Sequence, residues 1–423
     1  MPEILASFWW LPIPIAIVII FRGWWLSSKI SQYISSIEWV ILEVRIPKDN
    51  LKSIKSMEQV FASVHGTYSQ GIKWHERWFQ GKVEDWISFE IVGFAQGVHF
   101  YIRTPKKYRK LVEAAFFSQY PDAEIEEAED YTMIVPRDLP NDEFDIWGTD
   151  YVLAKADAYP IRTYVNFEQI LQFEELSIDP LATVTEVVSN LKNDELVWLQ
   201  LLVRPIGPEW IASAKGTVDE LVGKSGGGKK LFDMGGITEF LGNLIKAPTA
   251  LPEWSGSGEG ATKPAQERLT PGKQDTVKAV EGKMSKLAFD ATFRFIYIDK
   301  KSEFSGENVT AVAGAINQFA AMNLNSFKPN MKTITIPTKV SRIFSRAENL
   351  WRRKKWLYAH YLYRDIAQPP PFRFGLKLKT VILNVEELAT VYHPPLAMVT
   401  AAKLRVLETR KGEPPVNLPL IEE

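Results

Sequence analysis

Gly223, Gly228 and Lys229 in GKSGGGKK (Gly223–Lys230) fall on the spacing G-x-x-x-x-G-K. In that arrangement a glycine-rich turn lets backbone N–H groups and a lysine cradle nucleotide phosphates. Lys230 stands where the chemistry needs a Ser or Thr hydroxyl to hold Mg²⁺. FIYID (Phe295–Asp299) resembles the apolar strand ending in Asp that partners such a loop. The surroundings decide against it. A phosphate loop follows a buried strand and opens a helix, whereas PEWIASAKGTVDELV (Pro208–Val222) reads as a polar helix and SGSGEGATKPAQERLTPGK (Ser255–Lys273) has linker composition. The Gly-Lys stretch is therefore expected to be a flexible loop, FIYID a buried central strand, and no cofactor is assigned.

Other reactive groups form no constellation. His65, His75, His99, His360 and His393 lie far apart without the i, i+4 spacing that places two imidazoles on one zinc ion. The chain has no cysteine, which excludes disulfides, thiolate metal sites and a thiol nucleophile. AEIEEAED (Ala123–Asp130) reads as a solvated edge. No catalytic residue or metal ligand is assigned, and the expectation is a protein that is not an enzyme.

The basic run in RAENLWRRKKWLYAHYLYR (Arg346–Arg364) carries more weight. Leu350, Leu357 and Tyr361, with Trp351 and Tyr358 beside them, mark the apolar face of a helix, and Arg352, Arg353, Lys354 and Lys355 splay around the remainder. The structural reading is a solvated basic side. The functional one is contact with phosphates, acidic lipid heads or an acidic partner, DNA included. The net charge of −1 gives no global pull toward nucleic acid, so such contact would have to come from this patch. FDMGGITEFLGNLIKAP (Phe232–Pro248) is a second amphipathic stretch, docked on its own domain or touching a partner or membrane.

The elements that would position these residues follow from periodicity. Strand patterns at Ile37–Pro47, Trp86–Phe94, Gly97–Thr104 and Ala123–Asp130 alternate with helix patterns at Ser53–Tyr68 and Tyr108–Pro121, the order β-α-β-β-α-β. The order recurs as strands at Thr149–Asp157, Glu195–Pro205, Leu287–Asp299 and within Leu324–Ile336, with helices at Asp179–Leu191 and Glu307–Ala320. The fold class expected is α+β, with two ferredoxin-like units at 37–135 and 149–340. The second carries a long flexible insertion at 206–286, and residues 341–423 hold a helix and a docking segment.

From Ile4 to Phe21 the chain carries no charge. As a helix this run reaches about 27 Å, close to the ~30 Å hydrocarbon thickness of a bilayer. Trp9, Trp10, Trp24 and Trp25 flank it as interfacial rings do, and Arg22, Lys29 and Arg45 follow it. The expectation is a transmembrane anchor at 1–28, single-pass in a bacterial inner membrane, with the bulk of the chain cytoplasmic. Pro12 and Pro14 predict a kink or a short non-helical start.

PPPFRFGLKLKTVILNVEELATVYHPP and GEPPVNLP resemble the segment preceding the motor domain in membrane-anchored HerA/FtsK-like ATPases of conjugation and type IV secretion. The matching positions are Leu383, Asn384, Glu386 to Thr390, Tyr392, His393 and Pro395, then Pro414, Pro415, Asn417, Leu418 and Pro419. MEQVFASVHG, GIKWHERWFQGK, SFEIVGF, HFYIRTP and QYPDAEIEEAEDY are similar to bacterial membrane proteins encoded beside such ATPases. Only Leu420–Glu423 follow the last motif, so no motor domain is expected. The resemblance implies a non-catalytic subunit that positions a separately encoded translocation ATPase, docking through Glu386, Glu387, Leu388, Tyr392 and His393, or closing its own domains with them. The alternative is a membrane-bound nucleic-acid-contacting factor using the basic helix.

Overall fold

A computed structural model describes residues 12–47, 52–168, 179–192, 194–222, 270–337, 345–368 and 378–395. Its strands are β1 (Trp39–Arg45), β2 (Ile87–Phe94), β3 (Gly97–Pro105), β4 (Glu124–Glu127), β5 (Phe144–Leu153), β6 (Leu196–Pro205), β7 (Ala288–Lys300), β8 (Phe327–Pro329) and β9 (Val381–Asn384). They form one mixed α+β fold's nine-stranded sheet in the order β4-β1-β3-β2-β6-β7-β5-β8, antiparallel throughout. β7 is long enough to carry β5 along residues 293–300 and β9 along residues 288–291 of the same edge.

Among the described residues, the α-helices of seven or more residues are α1 (Pro12–Ser36), α2 (Ile54–Val64), α3 (Arg109–Gln119), α4 (Ala182–Ser189), α5 (Glu209–Val222), α6 (Pro271–Met284), α7 (Gly306–Ile316), α8 (Arg346–Leu362) and α9 (Val385–Val391). The chain divides into two compact units, Met1–Gly207 with Lys286–Glu423, and Pro208–Ser285. In the smaller unit α5 and α6 pack against each other. The Gly-Lys loop and Phe232–Pro248 lie outside the described residues.

The two faces of the sheet differ in chemistry because side chains alternate along each strand. One face is apolar: Leu42, Ile102, Phe89, Leu199, Phe293 and Phe295 form one core with residues of α2, α3, α4, α7 and α9. Gly93 sits on β2 where a Cβ would run into Val188 of α4, so its missing side chain lets that helix close on the sheet. β2 and β6 are buried along their whole length, as befits strands covered on both sides.

The opposite face carries α8, whose Leu357, Tyr358 and Tyr361 pack on Trp198, Ile296 and Ile298. The second half of α1 docks at its edge, burying Leu26 and Ile30 against Val83, Trp86, Leu202 and Ile366. Gly81, at φ 70°, passes so close to the Lys29 carbonyl that no side chain fits.

Several elements differ from expectation in extent. β5 starts at Phe144 rather than Thr149 because its pairing with β7 begins at Phe144↔Lys300. The strand expected within Leu324–Ile336 is the three-residue Phe327–Pro329. Beyond it, the Asp150 and Gly148 amides donate to the Thr333 and Thr335 hydroxyls, which take the place of a paired strand. α1 is described from Pro12 onward and contains Pro12 and Pro14; the kink or non-helical start expected there reaches into residues outside the described ones. No helix among the described residues is long and apolar enough to cross a membrane. The expected span from Ile4 to Phe21 extends into residues 4–11, outside the described ones.

Candidate functional site

The residues assigned to docking form a tie inside the fold. α9 opens on a reciprocal cap: Asn384 Oδ1 accepts from the Glu387 amide at 2.9 Å, and Glu387 Oε2 accepts from the Asn384 amide at 2.9 Å. The other Glu387 oxygen accepts from the Ile161 amide at 2.9 Å. Leu388 is fully buried, and Tyr392 packs edge-on against Phe89 and Phe100. His393 Nδ1 donates to the Ala389 carbonyl at 2.8 Å, and its Nε2 lies 3.0 Å from Asp179 Oδ1. Glu386 bonds Thr163 and meets Lys286 Nζ at 2.5 Å, while Lys286 also reaches Glu58 on α2 at 2.9 Å. Four of the five residues are thus buried, so the expected docking surface is corrected to an internal clasp. β9 adds to β7 in one half of the sheet while α9 packs on α2 in the other.

The basic run is largely engaged as well. Lys354 Nζ bonds both Asp145 oxygens at 2.6 and 2.7 Å. Arg353 donates to the carbonyls of Met331 and Ile334. Arg352 pairs with Glu348 one turn back, and Lys355 lies over the Trp351 ring. These four residues do not form one free cationic patch.

A group the periodicities pass over is a polar row crossing the α8 face. Register aligns Glu43 with Tyr101, Tyr101 with Glu90, Glu90 with Gln200, Gln200 with Arg294, and Arg294 with Asp150. Arg294 Nε donates to Asp150 Oδ1 at 2.7 Å and its Nη1 to Gln200 Oε1 at 2.9 Å, and Gln200 Nε2 donates to Glu90 Oε1 at 3.0 Å. Arg364, just past α8 at φ 51°, straddles Glu90 and Asp130 with four hydrogen bonds of 2.8–3.1 Å. Burial alone would raise the Glu90 carboxyl, but the Arg364 charge and hydrogen bonds outweigh it and hold the group below its ordinary value. The signal was a charged or amide side chain set between apolar neighbours in each run: Glu90 in SFEIV, Gln200 in WLQLL, Arg294 in TFRFI.

This row fixes the C-terminal end of α8. Arg294 donates to the His360 carbonyl, Gln200 to the Tyr361 carbonyl and Trp86 Nε1 to the Arg364 carbonyl. Between that end and α1 lies a cleft of about 590 Å³, walled by Ser31, Ile34 and Ser35 of α1 and by Ala359, His360, Tyr363 and Asp365. Trp39, Trp86 and Arg103 form its floor. The Arg103 guanidinium stacks 3.9 Å from the centre of the Trp39 ring and forms no hydrogen bond or ion pair with any described residue. Burial, then the neighbouring Arg364 cation, push its pKa down to about 10. Across from it, His360 Nδ1 lies 3.0 Å from Asp365 Oδ2.

A third feature lies at the outer end of α1. Ile17 to Phe21, Trp24 and Trp25 are exposed, and the segment 74–80 adds exposed Trp74 and Phe79 beside them. Trp25 Nε1 donates to the Trp78 carbonyl, and Arg22 covers the Trp78 ring at 4.7 Å, joining the two segments into one aromatic patch.

Among the described residues no group of His, Asp or Glu is arranged to hold a metal ion. Residues 28–403 match the family model described as Domain of unknown function (DUF8128). No curated protein matches the chain.

Proposed function

The chain belongs to the DUF8128 family, and we propose that it is a membrane-anchored, non-catalytic subunit that positions a separately encoded translocation ATPase. The observation that carries the membrane half is the patch of Ile17–Phe21, Trp24, Trp25, Trp74 and Phe79, exposed on one unit and continuous with the uncharged run from Ile4. A bilayer fits it better than a protein groove, because indole rings favour the headgroup zone and Arg22, Lys29 and Lys73 supply charge for acidic lipids. The bulk of the chain then faces the cytoplasm, on the side of those cations.

The ATPase half rests on the resemblance of residues 383–419 to the segment preceding a motor domain. The internal position of Glu387, Leu388, Tyr392 and His393 favours the domain-closing role for that segment over direct docking. The strand orders β4-β1-β3-β2 and β8-β5-β7-β6 are one pattern taken twice, which supports reading the halves as two ferredoxin-like units joined at β2 and β6.

The test is flotation of the full chain with vesicles containing acidic lipid, alone and with the motor protein encoded next to it. The chain is expected to float and to carry the motor with it. Ile20→Asp with Trp24→Asp is expected to leave both in the unbound fraction. A wild-type chain that stays unbound ends the membrane reading, and a motor that never co-floats with a bound chain ends the ATPase reading.

A further inference from the structure

We propose that the cleft between α1 and the end of α8 is a binding site for a phosphate-bearing small ligand, with Arg103 as its anchor. Three observations converge. The first is space: about 590 Å³ lies within the range of small-molecule sites. The second is an unused donor. A guanidinium presents a planar fork of N–H groups suited to an oxyanion, and Arg103 offers that fork to the cleft while no described carboxylate or carbonyl takes it. Its stacking on Trp39 holds the fork in place without consuming its donors. The third is preorganisation: His360 and Asp365 are held through their backbone carbonyls by Arg294, so the wall opposite Arg103 is rigid.

Asp365 lines the cleft, with its Oδ2 held 3.0 Å from His360 Nδ1. Glu90 is fully buried, and it and Asp130 share Arg364. Arg103 is a cation lining the cleft with no ion pair to any described residue, stacked on the Trp39 ring. The hydroxyls of Ser31, Ser35 and Tyr363 add donors a phosphate can use, and the Trp39 and Trp86 rings give an apolar body something to pack on.

The phosphate can arrive on a lipid headgroup or on a free phosphate ester, and two arms separate these sources. Calorimetry of the full chain with glycerol phosphate reads the soluble ligand; binding to phosphatidylglycerol against phosphatidylcholine vesicles reads the headgroup. Binding in the first arm assigns a free ester. Selective binding in the second arm alone assigns a lipid, provided it depends on Arg103.

Arg103→Gln is expected to weaken whichever binding is found by roughly 10-fold or more, as loss of charge-assisted hydrogen bonds does. Arg103→Lys keeps the charge but not the fork and is expected to recover only part of it. Melting temperature checks that both variants stay folded, and Trp39→Leu gives an independent loss through the cleft floor. Absence of binding in both arms overturns the proposal, and so does wild-type affinity in folded Arg103→Gln. The soluble arm does not need the membrane reading. Vesicle binding through the aromatic patch alone would persist in Arg103→Gln and be lost in the Ile20/Trp24 variant, so the two readings fail separately.

Discussion

Glu43 shows how one buried carboxylate makes the sheet sensitive to acid. It stands at the outer part of the polar row, with His99 Nδ1 at 2.7 Å and Arg45 Nη2 at 2.6 Å. Burial pushes its pKa up, but the hydrogen bonds and charges of His99 and Arg45 prevail and bring it from 4.5 down to about 2. A folded-state pKa below the unfolded one means the folded chain binds protons less readily, so acid favours unfolding. The stabilisation is fully present above pH 4.5 and is lost as pH falls toward 2. It amounts to on the order of 3 kcal/mol. Denaturant unfolding between pH 7 and 2 is expected to show Glu43→Gln losing less stability than wild type in that window. Parallel curves for the two proteins would show that Glu43 is not held ionised by its neighbours.

At the scale of elements, α9 decides how the C-terminal motif is understood. The resemblance of LNVEELAT implies a docking or domain-closing segment. Asn384 and Glu387 have cap spacing, however, and the cap, the buried Leu388 and the salt-bridged Glu386 make it a clasp. Leu388→Ala is expected to cost about 2–5 kcal/mol, the range for truncating a fully buried leucine, seen as a lower denaturant midpoint at unchanged slope. Stability within a few tenths of a kcal/mol of wild type would return the helix to the surface. The long elements were legible because their periodicity is strong: β2, β3, β6, β7 and α8 lie where alternation or helical spacing put them. The strand expected within Leu324–Ile336 is there at Phe327–Pro329, and it is short because Thr333 and Thr335 satisfy strand amides with side-chain hydroxyls, which no period reveals. The cleft was illegible for another reason. Ser31, Arg103 and His360 come from three distant segments, and only the sheet register and the anchoring of α8 bring them together.

The nine-stranded sheet is built around the seam between β2 and β6, paired from Ile87↔Val203 to Gly93↔Val197. β6 and β7 are neighbours across the longest ladder, and the chain between them leaves the sheet to form the unit Pro208–Ser285. It leaves and returns at adjacent points: Pro205 pairs with Phe289, and the Ile206 amide donates to the Ala288 carbonyl at 3.2 Å. Two antiparallel strands at that separation need only a short hairpin loop. Replacing 208–285 with a few turn-forming residues, while keeping Lys286 for its bonds to Glu58 and Glu386, is therefore expected to leave the nine-stranded unit folded. Shortening the excursion also lowers the entropy of closing it, a gain of about 0.6 kcal/mol per halving. Circular dichroism should then show a cooperative melt near that of the full chain, with Trp198 still buried by fluorescence. A product that loses cooperative unfolding, or aggregates, would show that Pro208–Ser285 is required for the sheet rather than inserted into it.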